Sequence, residues 1–297
     1  MVQLAAIAES SISVLCGDCR LVLPTLHAAS VQTVVTSPPY WMCRDYDMEG
    51  QLGREETPEE YVDSLVDVFR LVQRVLRDDG TVWLNLGDAI AKKHQGDIKR
   101  KDLIGLPWMV AFALRKDGWY LRSDIVWDKP NAFPESVRDR PTRSHEYVFL
   151  LSKSKNYYYD IQALREPASP VSIKRIQQKS FAAQTGGPKD YANGTNPSRS
   201  MRKTLENFAK NPEWRRKRDV WSINTKAYSG AHFALMPEEL ASHCIRAGSR
   251  PGDLVLDPFG GAGTTGVAAL HLERECICIE LNPDYVDLAD TRIAAEG

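Results

Sequence analysis

Late in the sequence the chain runs Val255-Leu256-Asp257-Pro258-Phe259-Gly260-Gly261-Ala262-Gly263-Thr264-Thr265-Gly266. A short apolar strand ends in an acid, crosses a glycine-rich turn and enters a helix near Thr264. A strand, turn and helix of this kind belong to an α/β sheet, where ligands gather beyond the carboxyl ends of the strands. The rest of the chain has the matching rhythm. Strand-like runs fall at Ile12–Leu15, Val31–Thr36, Thr81–Leu86, Asp124–Trp127, Glu146–Leu151, Leu254–Leu256 and Glu275–Glu280. Helical patterns lie between them. The clearest helix is expected from Pro58 to about Arg77, with Thr57 as N-cap, Glu60 closing a capping box and Asp79-Gly80 as the stop. Tyr61, Leu65, Phe69, Val72 and Leu76 form its apolar stripe. Further helices are expected after Pro107, from Pro237 to Ala247 and after Asn282-Pro283.

With 297 residues the chain can bury a sizeable core without staples. It contains no run of eighteen apolar residues, so no transmembrane helix and no membrane partner are expected. No basic start followed by an apolar stretch marks a signal peptide. Six cysteines are too few for a disulfide framework, and a cytoplasmic setting is expected. Cys16-x-x-Cys19 lacks a second pair, and Cys276 and Cys278 alternate in a strand, so core packing is expected there rather than a metal site.

The net charge of −1 hides an asymmetry. Val171 to Val220 holds twelve Lys/Arg and four Asp/Glu, against 26 basic and 35 acidic residues elsewhere. A nucleic-acid partner and a solvated or disordered basic insert are equally good readings of the charge alone. Glu166 to about Ser229, rich in Gly and Pro turns, reads as a basic, loop-rich insertion in the sheet domain. The expected division is residues 1–165 and 230–297 as two halves of one domain, with 166–229 as the insertion.

Gly261-x-Gly263-x-x-Gly266 matches a dinucleotide fingerprint, a weak signal by itself. No Gly-Lys-Ser/Thr follows, which excludes a P-loop. Asp257 stands where a pyrophosphate would approach, which disfavours NAD and suits an ammonium group. Glu280 ends the next strand, where an acid can hold ribose hydroxyls. A nucleoside with a cationic amino-acid tail satisfies both acids, and S-adenosylmethionine is such a molecule. A purely structural glycine turn is the plainer reading.

The second motif, Thr36-Ser37-Pro38-Pro39-Tyr40-Trp41, follows the strand Val31–Val35 directly. Two prolines fix an extended turn in which a carbonyl and the Ser37 hydroxyl can both accept from an exocyclic amine. Tyr40 and Trp41 offer flat faces for a base. A proline turn with aromatics packed on the core is the alternative. Asn85 and Asp88, at the end of the strand Thr81–Leu86, belong on the same rim, where strand-end hydrogen bonding explains them as well as catalysis does.

Together these motifs resemble the DNA amino-methyltransferases, which modify exocyclic amines of adenine or cytosine. Ser-Pro-Pro-Tyr is similar to their catalytic motif and Asp-Pro-Phe-x-Gly-x-Gly-Thr-Thr to their cofactor motif, in the β-class order. The resemblance implies a doubly wound, mostly parallel seven-stranded α/β sheet of the Rossmann-like S-adenosylmethionine methyltransferase type, with the basic insertion added. It makes residues 1–165 the catalytic half, 230–297 the cofactor-binding half and 166–229 a target-recognition insertion. It implies transfer of a methyl group from S-adenosylmethionine to adenine N6 or cytosine N4 of a flipped base in double-stranded DNA. Ser37, Pro38, Pro39 and Tyr40 would be catalytic. Gly17-Asp18 looks like the adenine-binding position, and Gly230 to Ala234 like the lead into the cofactor half. Cofactor contacts are therefore expected from Asp18, Thr36, His232, Phe233, Asp257, Phe259, Gly261, Gly263, Thr264 and Glu280.

DNA contacts are expected from Trp41 and Lys129, and from Arg140 and Arg143 in the segment Asn131 to Ser152, which is similar to the family's loop and strand near the target base. In the insertion they are expected from Arg199, Arg202, Lys203, Arg215, Arg216 and Arg218. No metal is implied, and a homodimer is left open. No Pro-Cys dipeptide occurs, so the nucleophile for carbon-5 methylation is missing. A methyltransferase acting on RNA or protein and a non-enzymatic DNA-binding relic of the fold are the competing readings.

Overall fold

The computed structural model describes residues 11–177, 213–226 and 236–297. The strands are β1 (Ile12–Cys16), β2 (Val31–Thr36), β3 (Leu76–Leu86), β4 (Tyr120–Asp128), β5 (His145–Ser152), β6 (Arg165–Pro167), β7 (Trp214–Arg216), β8 (Val220–Ser222), β9 (Leu254–Asp257) and β10 (Glu275–Glu280). The helices are α1 (Cys19–Val22), α2 (Pro58–Val75), α3 (Leu106–Lys116), α4 (Pro170–Ile176), α5 (Glu238–Gly248), α6 (Thr264–His271) and α7 (Pro283–Glu296). Among the described residues, those up to 160 together with those from 219 onward form one compact unit, and those between 161 and 218 form another.

The main sheet runs β1-β10-β9-β2-β3-β5-β4-β8. Only β5 is antiparallel to its neighbours β3 and β4; the other pairings are parallel. The sheet thus has eight strands among the described residues, not the expected seven. The extra one is Val220–Ser222, assigned by sequence to the insertion, which pairs with the edge of β4 in the register Trp127↔Trp221. Its three residues are too few to show a period. In the other unit, β6 and β7 form a short antiparallel ribbon.

The helix α2 shows how the core is specified. Thr57 Oγ1 accepts from Glu60 N, and Glu60 Oε2 accepts from Thr57 N, completing the capping box. Tyr61, Leu65, Phe69 and Val72 are buried against the sheet, each stabilising by about 1.5–3 kcal/mol. The helix ends at Val75, before the expected Asp79-Gly80 stop. Leu76 is fully buried and pairs with Val31 in the β ladder, so sheet pairing ends the helix earlier than the turn residues would.

The parallel strands β1, β10, β9, β2 and β3 all point their carboxyl ends to one rim. The β4–β5 hairpin loop joins them there, because β5 runs antiparallel to β3 with Leu86 opposite Tyr147. Chain order reverses between β9 and β2, which is the switch point where such sheets bind ligands.

Candidate active site

A cleft of about 350 Å3 opens at this switch point. On one side the pairing of β9 with β2 carries Asp257 to the end of Thr36, whose hydroxyl donates to Asp257 Oδ1 at 2.6 Å. Thr265 Oγ1 donates to Oδ2 at 2.7 Å, and Phe259 N donates to Oδ1 at 3.0 Å. Both Asp257 oxygens therefore tie β9 to β2 and to the start of α6. Asp257 lines the cleft, as a carboxylate facing an ammonium group would, but both its oxygens are also engaged within the protein. Burial pushes the Asp257 carboxyl up to about 6, with the three donors holding it down only in part.

Glu280 lies at the end of β10, where Oε2 accepts from Gly261 N and Oε1 from Asn282 N, both at 2.8 Å. Burial raises its pKa as well. Asp18 lines the same cleft and caps α1. Arg20 Nη2 pairs with its Oδ2 at 2.6 Å, and Arg20 Nε donates to both oxygens. Burial works to raise the Asp18 carboxyl, but the Arg20 side-chain and backbone donors together outweigh it and lower its pKa.

The glycines of the turn divide by function. A Cβ on Gly260 would meet Cys278 Cβ at 2.9 Å, and one on Gly263 would meet Ala289 Cβ at 2.9 Å. These two glycines let the turn pack on the sheet and on α7. At Gly261, with φ of +51°, the nearest atom to such a Cβ is 4.0 Å away. Gly261 is thus the position that keeps space open on the cleft. Phe259 and Thr264 also line it, whereas Gly263 and Thr36 stand behind it. Thr264 Oγ1 is held by Arg292 at 2.9 Å. His232 and Phe233 lie outside the described residues.

On the other side of the cleft a buried polar cluster surrounds the proline turn. Ser37 Oγ donates to Tyr40 Oη at 3.1 Å, and Tyr40 Oη donates to Glu146 Oε2 at 2.8 Å. Asn85 Nδ2 donates to Tyr40 Oη at 2.8 Å and to Glu146 Oε2 at 2.9 Å. Its distance to Ser37 Oγ is 3.4 Å. Lys129 Nζ pairs with Glu146 Oε1 and sits 4.3 Å from the centre of the Trp127 ring. The turn itself is braced by Tyr61, whose hydroxyl donates to the Pro39 carbonyl at 2.9 Å. Burial and the Glu146 carboxylate push the Tyr40 phenol well up, so it keeps its proton. The ring needs Gly87, where a Cβ would fall 2.6 Å from Tyr40 Cε2.

Several expected DNA contacts are engaged inside the protein. Trp41 is only 8 % exposed and donates to the Glu55 carbonyl, so its ring belongs to the core and is not a free stacking face. Lys129 is taken up by Glu146 in the cluster around Tyr40 and does not face a phosphate-binding surface. Arg140 pairs with Glu135 at 2.6 Å, and Arg143 donates to the Asp88 carbonyl. Arg215 pairs with Glu166 at 2.9 Å, while Arg216 and Arg218 are exposed. Arg199, Arg202 and Lys203 lie outside the described residues. Asp88 turns out to be a cap, accepting from Ala89, Gly105 and Leu106 N–H groups. Glu146 is the site residue that sequence reasoning missed. Its only signal was its place in the family-like segment ending at Ser152.

A family model for DNA methylases of the N6/N4 type matches residues 31–291. The chain belongs to this family: it is a site-specific DNA methyltransferase of the adenine-N6/cytosine-N4 group. It is 45 % identical over 304 residues to the Type II methyltransferase M.SmaI of Serratia marcescens, covering 95 % of this chain and 91 % of that one. It is 43 % identical to M.Cfr9I of Citrobacter freundii, covering 94 % and 87 %. Among solved structures it is similar to a protein of Thermus thermophilus described as a DNA modification methylase and complexed with S-adenosyl-L-methionine. That match has a TM-score of 0.62 at 29 % identity, over 95 % and 93 % of the two chains. The PvuII cytosine-N4-specific methyltransferase shares the fold, with a TM-score of 0.66 at 22 % identity over 95 % and 86 %.

Proposed function

We propose that the cleft joins an S-adenosylmethionine site, on the Glu280 side, to a target-amine site at Ser37, and that the amine belongs to an adenine or cytosine turned out of duplex DNA. The observation that carries this reading is the hydrogen-bonded chain from Ser37 through Tyr40 to Glu146, opening on the same cleft as Glu280 and Gly261. The residues fit the cofactor: acids at Glu280 and Asp18, an open Gly261 and apolar walls at Phe259 and Ile279 suit a nucleoside with a cationic tail. The bound cofactor supplies an electrophilic methyl group on a sulfonium.

Glu280 would hold the ribose hydroxyls and Asp18 the adenine edge, with Phe259 against the base. Asp257 would act indirectly, fixing Phe259 and Thr36. An exocyclic amine is a poor nucleophile because its lone pair is spread into the ring. Ser37 Oγ donates its own hydrogen to Tyr40 and so presents lone-pair density toward an amine hydrogen. Drawing that hydrogen off localises the nitrogen lone pair toward the methyl group. The amine proton then moves to Ser37 Oγ as the Ser37 hydrogen moves to Tyr40 Oη and the Tyr40 hydrogen to Glu146. Positioning and a preorganised polar environment do most of the work. The base must leave the stack to reach this site.

Two measurements test the assignment. Glu280→Ala is expected to weaken S-adenosylmethionine binding by about 1.5–3 kcal/mol in calorimetry. Parental affinity in that variant would place the cofactor elsewhere. Tyr40→Ala should lose base stacking worth about 1–3 kcal/mol on duplex DNA. Tyr40→Phe keeps the ring and removes only the hydroxyl, so it separates stacking from proton movement. A full-rate Tyr40→Ala enzyme rules out stacking by this ring. Nucleoside analysis of methylated DNA identifies the base.

A further inference from the structure

Between β3 and α3 the chain forms a rim hairpin that the sequence reading passed over. Lys92, Lys93, Lys99, Arg100 and Lys101 fall within ten residues that hold one acid, Asp97. The segment is ordered by its backbone. Ala91 N donates to Asp102 O at 2.9 Å, Lys101 N to Ala91 O at 2.8 Å, and Gln95 and Ile98 exchange bonds of 2.9 and 3.0 Å at the tip. Gln95 Nε2 also donates to the Glu56 carbonyl. Lys101 is used internally, pairing with Asp139 of the β4–β5 loop at 2.6 Å. Lys92, Lys93, Lys99 and Arg100 are exposed, and none has a carboxylate within ion-pair distance among the described residues. The neighbouring Asp102 turns its carboxylate to Lys99 N at 2.8 Å.

The hairpin is rooted in the amine site. Gly87 lies against the Tyr40 ring, and Asp88 fixes the return of the chain by capping Gly105 and Leu106. We infer that Lys92 and Lys93 on one arm and Lys99 and Arg100 on the other grip the DNA sugar–phosphate backbone beside the extruded nucleotide. The inference rests on the DNA methyltransferase reading. The four cations are spread along two arms and do not converge on one point. That arrangement suits a polyanion with repeating charges better than a single small anion. Contacts of this kind position the protein and carry no sequence information. Cations carried on a backbone-ordered hairpin, rooted at Gly87 beside Tyr40, would hold the backbone while one nucleotide rotates away from it.

The test uses the full chain with Lys92→Ala/Lys93→Ala, Lys99→Ala/Arg100→Ala and the combined quadruple variant. DNA affinity is measured against salt on a duplex with the methylated site and on a scrambled duplex. The expected result is a slope of log K against log salt that falls by about 0.9 for each phosphate no longer neutralised, equally on both duplexes. S-adenosylmethionine affinity and thermal stability should stay at parental values. A quadruple variant with the parental slope overturns the inference. Weaker binding on the methylated site alone overturns it too, because that marks base reading. The slope is a binding measurement, so the hairpin stands or falls on it whether or not methyl transfer occurs. A parent that binds the cofactor yet methylates no DNA counts against the proposed function instead.

Discussion

Glu146→Gln is expected to lower the single-turnover methylation rate by about 10²–10⁴-fold, the range for loss of a positioned proton acceptor. Glutamine keeps the shape of the side chain and can still accept from Tyr40. It cannot take up the proton that the Ser37–Tyr40 chain delivers. The substitution also strands Lys129, whose side chain is 16 % exposed and loses its counter-charge. That part of the effect is structural and is separated by Lys129→Met/Glu146→Gln. The double variant should regain thermal stability without regaining rate. S-adenosylmethionine affinity should be parental in both, because Glu146 belongs to the Ser37 side of the cleft. A Glu146→Gln enzyme at the parental single-turnover rate would remove Glu146 from the reaction.

The second large effect concerns Asp257 and pH. Its carboxyl is raised from 3.8 to about 6, so the folded chain retains a proton that the unfolded chain releases nearer pH 4. Between those values the folded state binds more protons, and stability therefore falls as pH rises through the window. The loss is complete above about pH 6 and amounts to about 3 kcal/mol, since each unit is worth about 1.4 kcal/mol. Asp257→Asn cannot ionise and should escape this loss. The difference in Tm between Asp257→Asn and the parent should widen from pH 4 to pH 7. Burial raises Glu280 in the same direction; it is present in both proteins, so only its repulsion on the Asp257 carboxylate differs between them. Asp257→Ala should be destabilised at every pH, because the buried Thr36 and Thr265 hydroxyls lose their acceptor, at about 1–3 kcal/mol per unsatisfied group. A Tm difference that stays constant across the window would mean that Asp257 does not ionise there.

Local chemistry made much of the fold legible. The capping box at Thr57 and Glu60, the stripe on α2 and the seven apolar runs involve neighbours in sequence, and their periods survive in the structure. The eighth strand was hidden because Val220–Ser222 is short and takes its conformation from the edge of β4. The early end of α2 was hidden because Leu76 obeys its partner Val31 across the sheet rather than the turn that follows it.

The two motifs could be read from sequence because each sits on a single strand end, where residue order fixes the geometry. Ser37 to Tyr40 follow β2, and Asp257 to Gly266 follow β9. What their side chains touch was decided by strand order. Asp257 is 221 residues from Thr36 and becomes its hydrogen-bond partner only because β9 lies beside β2. Glu146 is 106 residues from Tyr40 and reaches it only because β5 runs antiparallel to β3. Charge was the least legible quantity. A lysine in sequence is a potential phosphate ligand wherever it falls, yet packing gave Lys129 to Glu146 and Lys101 to Asp139 and left Lys92, Lys93, Lys99 and Arg100 facing solvent. The sequence determined which chemical groups were present and which strand ends would carry them. Only tertiary packing decided which groups are neutralised at close range, because an ion pair depends on distance in space and not on separation along the chain.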